Sequence, residues 1–253
     1  MTINEFSDQF DLLYNNITSN QAPGLSEYEK SVFLTKAEKE VVKNYFSPQS
    51  KGNNLQQGFD DSAKRQADFS VLMKVGNCTE VTSSLPPKID PRSDTTVWTF
   101  PNDVFIVINE SVKTTDNPAK YYQVLPLRYD DYMAKMSKPY KRPVKNQVWR
   151  LINSGSVSGS AATKTVEIVA HASDTIDTYT VRYVRVPKPI ILVDLTPDNL
   201  SIDGVSTASA ACEIDPILHE DILQRAVELA KIAWTATGQD NMQAVIQSGQ
   251  RSE

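Results

Sequence analysis

The chain has 253 residues, 40% of them hydrophobic, and a formal charge of −5; this supports a folded core of one large or two small domains and argues against wholesale disorder. No apolar run approaches the roughly 18 residues of a membrane-spanning helix, and the polar start "MTINEFSDQF" lacks the basic and apolar stretches of a secretory signal. Two distant cysteines, Cys78 and Cys212, make no disulfide framework, so reduced, partly buried thiols are expected, and the sequons at Asn16, Asn77, Asn109 and Asn199 are then chance matches.

Thr2 and Glu5 have the spacing of a capping box, in which hydroxyl and carboxylate each satisfy the other residue's backbone N–H. Ile3, Phe6, Phe10, Leu13, Tyr14 and Ile17 follow at three- and four-residue intervals, which predicts an amphipathic helix ended by "SNQAPG". Ser26 and Glu29 repeat the capping pattern, with Leu25 placed to begin a hydrophobic staple. Phe33, Ala37, Val41 and Tyr45, with Leu34 and Val42 beside them, predict a second helix running to about Phe46, before Pro48. Together these make a predicted helical hairpin. "SPQSKGNN" reads as a polar loop, and "DDSAKRQADFSVLMK" as a short helix or irregular segment.

Beyond it the period changes from helical to alternating. "TTVWTF", "DVFIVINESV", "AKYYQVLPL" and "NQVWRLIN" are strand-like runs bounded by turn residues. "RYDDYMAKM" predicts one or two helical turns, and "SGSVSGSAAT" a flexible glycine/serine loop. "KTVEIVAHAS" and "TYTVRYVRVP" predict an antiparallel pair; in the second, Val181 and Tyr183 alternate with Arg182 and Arg185. A last helix starts with Asp215 as N-cap and Pro216 at N1, runs along Leu218, Ile222, Ala226, Leu229 and Ala233, and stops at Gly238. A polar tail follows. The expected fold class is α+β: an N-terminal helical region (1–75), a β-rich antiparallel core with an extended basic loop (76–212), and a C-terminal amphipathic helix with its tail (213–253).

No catalytic constellation stands out. His171 and His219 lack a nearby nucleophile motif. No CxxC, HxxxH or HExxH spacing exists, the Asp60–Asp61 and Asp130–Asp131 pairs diverge on a helix, and no phosphate-binding glycine loop is present. An enzyme is therefore not expected, nor a cofactor.

One segment departs from the acidic background. Lys135 to Leu151 holds Lys135, Lys138, Lys141, Arg142, Lys145 and Arg150 and no acid, so its +6 leaves −11 for the remainder of the chain. Tyr140 and Trp149 lie among these bases, and Pro139 and Pro143 stiffen its front. Three readings are open: a nucleic-acid footprint over 138–150, a protein-docking loop, or a solvated loop. Docking fits the charge segregation best, with Lys138, Tyr140, Lys141, Arg142 and Lys145 as subunit-interface candidates and Val148, Trp149 and Leu151 as core.

The order of motifs from Val124 to Leu151, "VLPLRYDDYMAKMSKPYKRPVKNQVWRL", then "RYVRVPKPIIL" and "CEIDPILHEDILQRAVELA", resembles the virion structural proteins of crAss-like phages and similar short-tailed phages of gut Bacteroidales. The N-terminal "INEFSDQFDLLYNNITSNQAPGLSEYEKSVFLTKAEKEVVKNYF" fits the same proteins, so nearly the whole chain is covered. The resemblance implies a ring or head-to-tail adaptor subunit below the portal, forming a homo-oligomer, dodecameric by analogy with portal-proximal rings. It implies contacts with the portal and adjacent ring or tail proteins. Packaged DNA would pass through the channel without sequence-specific binding, and no membrane would be involved. Assembly would take place in the host bacterial cytoplasm and the product would sit at the virion's head–tail junction. No catalytic residue carries over.

Overall fold

A computed structural model describes residues 1–17, 24–46, 67–82, 95–116, 118–144, 146–153, 164–171 and 174–235. Lys145, the predicted loops within 47–66 and 154–163, and the tail from 236 onward, with the expected stop at Gly238, lie outside them. The fold is mixed α+β. The chain divides into two compact units, one of residues Met73–Arg185 and one of Met1–Leu72 with Val186–Glu253.

The first unit is a curled eight-stranded sheet. Its strands are β1 (Met73–Asn77), β2 (Thr79–Glu80), β3 (Thr95–Thr99), β4 (Val104–Thr114), β5 (Tyr121–Pro126), β6 (Val148–Asn153), β7 (Thr165–Val169) and β8 (Ile176–Arg185), in the order β1-β8-β4-β5-β6-β7-β3-β2. The outermost strands β1 and β2 are separated in sequence by Cys78 alone. A sheet whose two edges are joined by a single residue must curl until they meet, which makes a near-barrel and leaves no long open edge. Bulges at three points along β4, where it pairs with β8, supply local bending.

β1 starts at the end of the stretch read as helical or irregular, sharing Met73 and Lys74 with it. Its weak strand sequence is recruited by pairing with β8, Met73 opposite Val184 and Asn77 opposite Thr180. Gly76 is needed for close approach: a Cβ there would stand 3.2 Å from both Pro101 Cγ and Tyr183 Cε1. The sheet is also not wholly antiparallel, as the sequence reading had it. β5 and β6 pair in parallel, Val124 opposite Val148 and Pro126 opposite Arg150. Parallel neighbours require a long crossover. Residues 127–147, which hold α3 (Tyr129–Met136), a 3-10 turn at Pro139–Lys141 and the basic segment, are that crossover.

Alternation along the strands sorts side chains between two layers. Val124, Val148, Val166, Ile168, Tyr179, Val181 and their neighbours fill the barrel interior. Trp149, Leu151 and Val169 point the other way and form an outer cluster with Tyr132 of α3, flanked by Leu127 and Met136. The front of the crossover thus packs on the barrel wall.

The second unit holds α1 (Ile3–Ile17), α2 (Glu27–Phe46) and α4 (His219–Thr235). Both predicted capping boxes form: Thr2 N–H donates to Glu5 Oε2 at 2.7 Å and Ser26 N–H to Glu29 Oε2 at 2.8 Å. Phe6, Phe10 and Tyr14 are buried as their spacing requires, each contributing about 1.5–3 kcal/mol by removal from water. At the start of α4, Asp215 Oδ1 accepts from Ile217 N–H at 3.0 Å, and a 3-10 turn at Pro216–Leu218 leads into the helix. The buried stripe runs through Leu218, Ile222, Leu223, Ala226, Val227 and Ala230, so Ala233, expected inside, is exposed.

α2 differs from expectation in which face it buries. Lys30, Ser31, Thr35 and Glu38 are inside with Leu34, Ala37 and Val42, while Phe33 and Val41 are only half-buried. The polar residues serve the chain passing at 190–192. Ile190 N–H donates to Thr35 Oγ1 at 3.1 Å, the Thr35 hydroxyl donates to Ile190 O at 3.2 Å, and Leu192 N–H donates to Ser31 Oγ at 3.0 Å. These hydroxyls satisfy backbone groups that would otherwise be buried unpaired. Lys30 reaches Asp11 at 2.6 Å and Glu27 at 3.0 Å.

His219 is buried against Phe6, its Nε2 donating to Ile214 O at 3.0 Å and its Nδ1 2.6 Å from the Met1 amine. Burial, aided by the nearby amine charge, holds the imidazole below its ordinary value, against the pull of the Ile214 carbonyl. The unfolded chain therefore takes up the proton more readily. His219's contribution is complete above its ordinary value of about 6.5 and is lost as pH falls from there through the lowered folded value. We expect thermal midpoints to fall more steeply from pH 7 to pH 5 in the natural chain than in a His219→Gln variant, as followed by circular dichroism. Equal slopes would remove His219 as the cause.

Candidate functional site

Four of the five interface candidates lie on the crossover. Lys138, Tyr140, Lys141 and Arg142 are all exposed, in and around the 3-10 turn; Lys145 is outside the described residues. Pro139 fixes the turn's first residue, and Lys138 O accepts from Lys141 N–H at 2.9 Å to close it. Upstream, α3 is anchored by Tyr132, whose ring meets Trp149 edge-on at 6.4 Å, and by Lys135, whose ammonium sits 5.4 Å over the same indole.

Between this turn and the barrel wall lies a cleft of about 540 Å³, whose lining includes Leu125, Leu127, Lys135, Tyr140, Arg142 and Val144. Its chemistry is apolar floor with cationic rim. A second cleft of about 460 Å³ lies beside it, against Tyr129, Arg150 and Ile152. Seven of the sixteen large exposed hydrophobic side chains among the described residues fall between Tyr121 and Ile152, including Met133, Tyr140 at 77% exposure and Ile152 at 73%. Exposed apolar side chains in that number, with bases among them in sequence, make this stretch a candidate contact surface.

The structure takes Arg150 out of the exposed basic segment and buries Trp149 as the sequence reading expected. Arg150 does not face solvent: its Nη1 pairs with Glu110 Oε1 at 2.9 Å, the two side chains 13% and 6% exposed. Tyr179 OH donates to Glu110 Oε2 at 2.7 Å, which ties the pair into the barrel core. The alternating strand pattern of β6 carries the reason, since Val148 and Arg150 share its inner face. Trp149 is 3% exposed and covered by α3, so it offers no face for stacking on a base. Among the described residues of the segment, the accessible cations are Lys138, Lys141, Arg142 and the half-buried Lys135.

Burial, then the Glu110 charge, pushes the Cys78 thiol up to about 12; burial and Glu38 do the same for Cys212. Both cysteines are free. Among the described residues no three His, Cys, Asp or Glu side chains gather as metal ligands, and no helix is long and apolar enough to cross a membrane.

A family described as phage tail ring protein 3/4 matches residues 1–242. The chain is 50% identical over 255 residues to Ring protein 4/5 of Bacteroides phage crAss001, covering 100% of both. It is 33% identical over 242 residues to Ring protein 3 of the same phage, covering 93% of this chain and 97% of that one.

Proposed function

Since the chain belongs to the phage tail ring protein family, a structural component of the virion, we propose that it assembles as a closed ring through the basic, apolar surface of the β5–α3–β6 crossover. The observation that carries this is charge segregation between the units. Residues 73–185 hold 15 Lys and Arg against 11 Asp and Glu, a net +4, which leaves −9 for the helical unit. A ring joins copies head to tail, so each copy needs two different, complementary faces. A positive barrel and a negative helical unit supply them. Lys138, Tyr140, Lys141 and Arg142, with Lys145 in the same stretch, are the contact residues on the positive side.

By analogy with portal-proximal rings, the ring is dodecameric and sits at the head–tail junction, below the portal, where it acts as a head-to-tail adaptor around the DNA channel. Neighbours above and below are the portal and other ring or tail proteins. A phage carrying two full-length relatives, both named as ring proteins, supports a stack of related rings. Packaged DNA passes through without sequence-specific contact. The alternative, a nucleic-acid module at 138–150, has lost its stacking tryptophan to the core. Mass photometry of the purified protein and imaging of virions test the ring; a chain monomeric in solution and absent from virions overturns it.

Reversing two charges, Lys141→Glu with Arg142→Glu, places like charges at the contact, which costs several kcal/mol. We expect the assembled fraction to fall at least about tenfold by the usual conversion of 1.4 kcal/mol per decade, with the melting temperature unchanged because both side chains are exposed. Native mass spectrometry across a salt series checks this. An unchanged oligomer distribution would remove these residues from the interface.

A further inference from the structure

The occupant of the 540 Å³ cleft can be narrowed. The two most exposed large hydrophobic side chains among the described residues are Val205, 84% exposed, and Tyr140, 77% exposed. One belongs to each unit. Tyr140 stands on the rim of the cleft, in a stretch without acids. Val205 stands in the Asp203–Ser206 turn at the C-terminal end of the loop 193–206, which contains Asp194, Asp198 and Asp203 and no base.

That loop is held in shape by its own hydrogen bonds. Asp203 Oδ1 accepts from the N–H of Val205 at 3.0 Å and of Ser206 at 2.6 Å, and its Oδ2 accepts from Ser206 Oγ at 2.8 Å. Asp194 Oδ1 accepts from Thr196 N–H at 3.0 Å and Oγ1 at 2.7 Å. Gly204 takes φ +85°, which lets the chain turn directly before Val205. Leu195, almost fully buried, anchors the base, with its N–H donating to Thr207 O at 2.8 Å. An apolar side chain is thus presented by a turn already ordered before contact, which lowers the entropy lost on docking. Asp194 and Asp203 are engaged by their own turns; exposed Asp198 is available to an outside cation.

We infer that the Asp203–Ser206 turn of one copy seats Val205 in the cleft beneath Tyr140 of the next copy, with Asp198 facing Arg142 and Lys141. This rests on the ring reading and specifies which two surfaces meet. The complementarity is twofold: an acidic loop that presents an exposed apolar side chain against a basic rim with an apolar floor. The same acid–base pairing fixes direction, since neither surface matches itself.

Cysteine cross-linking tests it, because the natural thiols are a quiet background: Cys78 is buried, Cys212 is half-buried, and both are pushed up to about 12. Full-length Tyr140→Cys and Val205→Cys chains are mixed under mild oxidation. Covalent dimers are expected in the mixture and not from either variant alone. The doubly substituted chain, purified or in virions, is expected to give a ladder of covalent multimers. Asp198→Lys should slow cross-linking on the order of tenfold at low salt, and Arg142→Asp on the partner should restore it. If the chain is a ring in virions yet neither mixture nor ladder appears, the docking inference fails and the ring reading stands. A ladder from Tyr140→Cys with Ile217→Cys, the exposed apolar residue of the other acidic turn, would equally overturn the choice of Val205. A chain monomeric in solution and absent from virions takes down the ring reading itself.

Discussion

Glu110→Ala is expected to destabilise the barrel by about 3–5 kcal/mol, the usual consequence of stranding one member of a buried ion pair. Arg150 has no route of escape. Its guanidinium cannot shed its proton at accessible pH, it lies inside the barrel, and its Nε already lacks a hydrogen-bond partner. Loss of the carboxylate also strands the Tyr179 hydroxyl, which donates to Glu110 at 2.7 Å. The converse variant, Arg150→Ala, should be milder in acid. Burial already raises the Glu110 carboxyl, against the pull of Tyr179 and Arg150; without Arg150 it rises further and can protonate. A carboxyl whose folded value exceeds its unfolded value binds more protons when folded, so the variant's deficit should shrink as pH falls through that window. Denaturant titrations at pH 5 and pH 7 should therefore show the gap between the two variants widening on acidification. Replacing Glu110 and Arg150 with leucine and methionine, together with Tyr179→Phe so that no hydroxyl is stranded, should recover most of the loss, because a buried pair is worth little more than well-packed apolar side chains. Equal deficits for the two single variants at both pH values would contradict this account.

The elements that sequence alone could place are those whose signals are local. Capping boxes at Thr2 and Ser26, the Phe6–Phe10–Tyr14 stripe, the Asp215–Pro216 helix start and the β-rich runs of β3 to β8 all announce themselves in patterns a few residues long, whereas the expected pairing of β7 with β8 does not form: β7 lies between β6 and β3, and β8 between β1 and β4. What escaped it depends on distant partners. β1 is a strand because β8 offers it a ladder, not because "MKVGN" favours one. The buried face of α2 carries Ser31 and Thr35 because the passing segment at 190–192 needs hydrogen-bond partners, which no helical period can announce. The parallel pairing of β5 with β6 had one available signal, the long intervening stretch with its own helix. By sequence Arg150 counts with the basic segment, because an arginine in a basic run gives no hint of Glu110, forty residues upstream. The exposed candidates Lys138, Tyr140, Lys141 and Arg142 were legible for the opposite reason: proline, charge and absence of acids are composition, and composition survives without a fold.

Trp149→Ala should cost a comparable 3–5 kcal/mol or so, the range for deleting a buried large aromatic side chain, but its consequence for assembly should be disproportionate. The indole is the seat of the crossover: Tyr132 packs edge-on against it, Lys135 lies over it, and Leu127 and Met136 pack on the same cluster. Removing it leaves a void between α3 and the barrel wall while the interior residues Val124, Val148, Ile168 and Tyr179 keep their own contacts. The 3-10 turn with Tyr140 and Lys141 follows directly from α3, so its position relative to Leu125 on β5 depends on that seat. We expect Trp149→Ala to lose assembly by on the order of tenfold or more at temperatures where circular dichroism still reports a folded chain, and Trp149→Phe, which keeps an aromatic ring against Tyr132, to lose much less. The comparison with Lys141→Glu/Arg142→Glu separates the causes. That variant is expected to remove the proposed contact chemistry and leave the melting temperature in place; Trp149→Ala leaves the proposed contact residues and removes their support. Assembly that tracks only the folded fraction in Trp149→Ala would mean the crossover holds its shape without the indole.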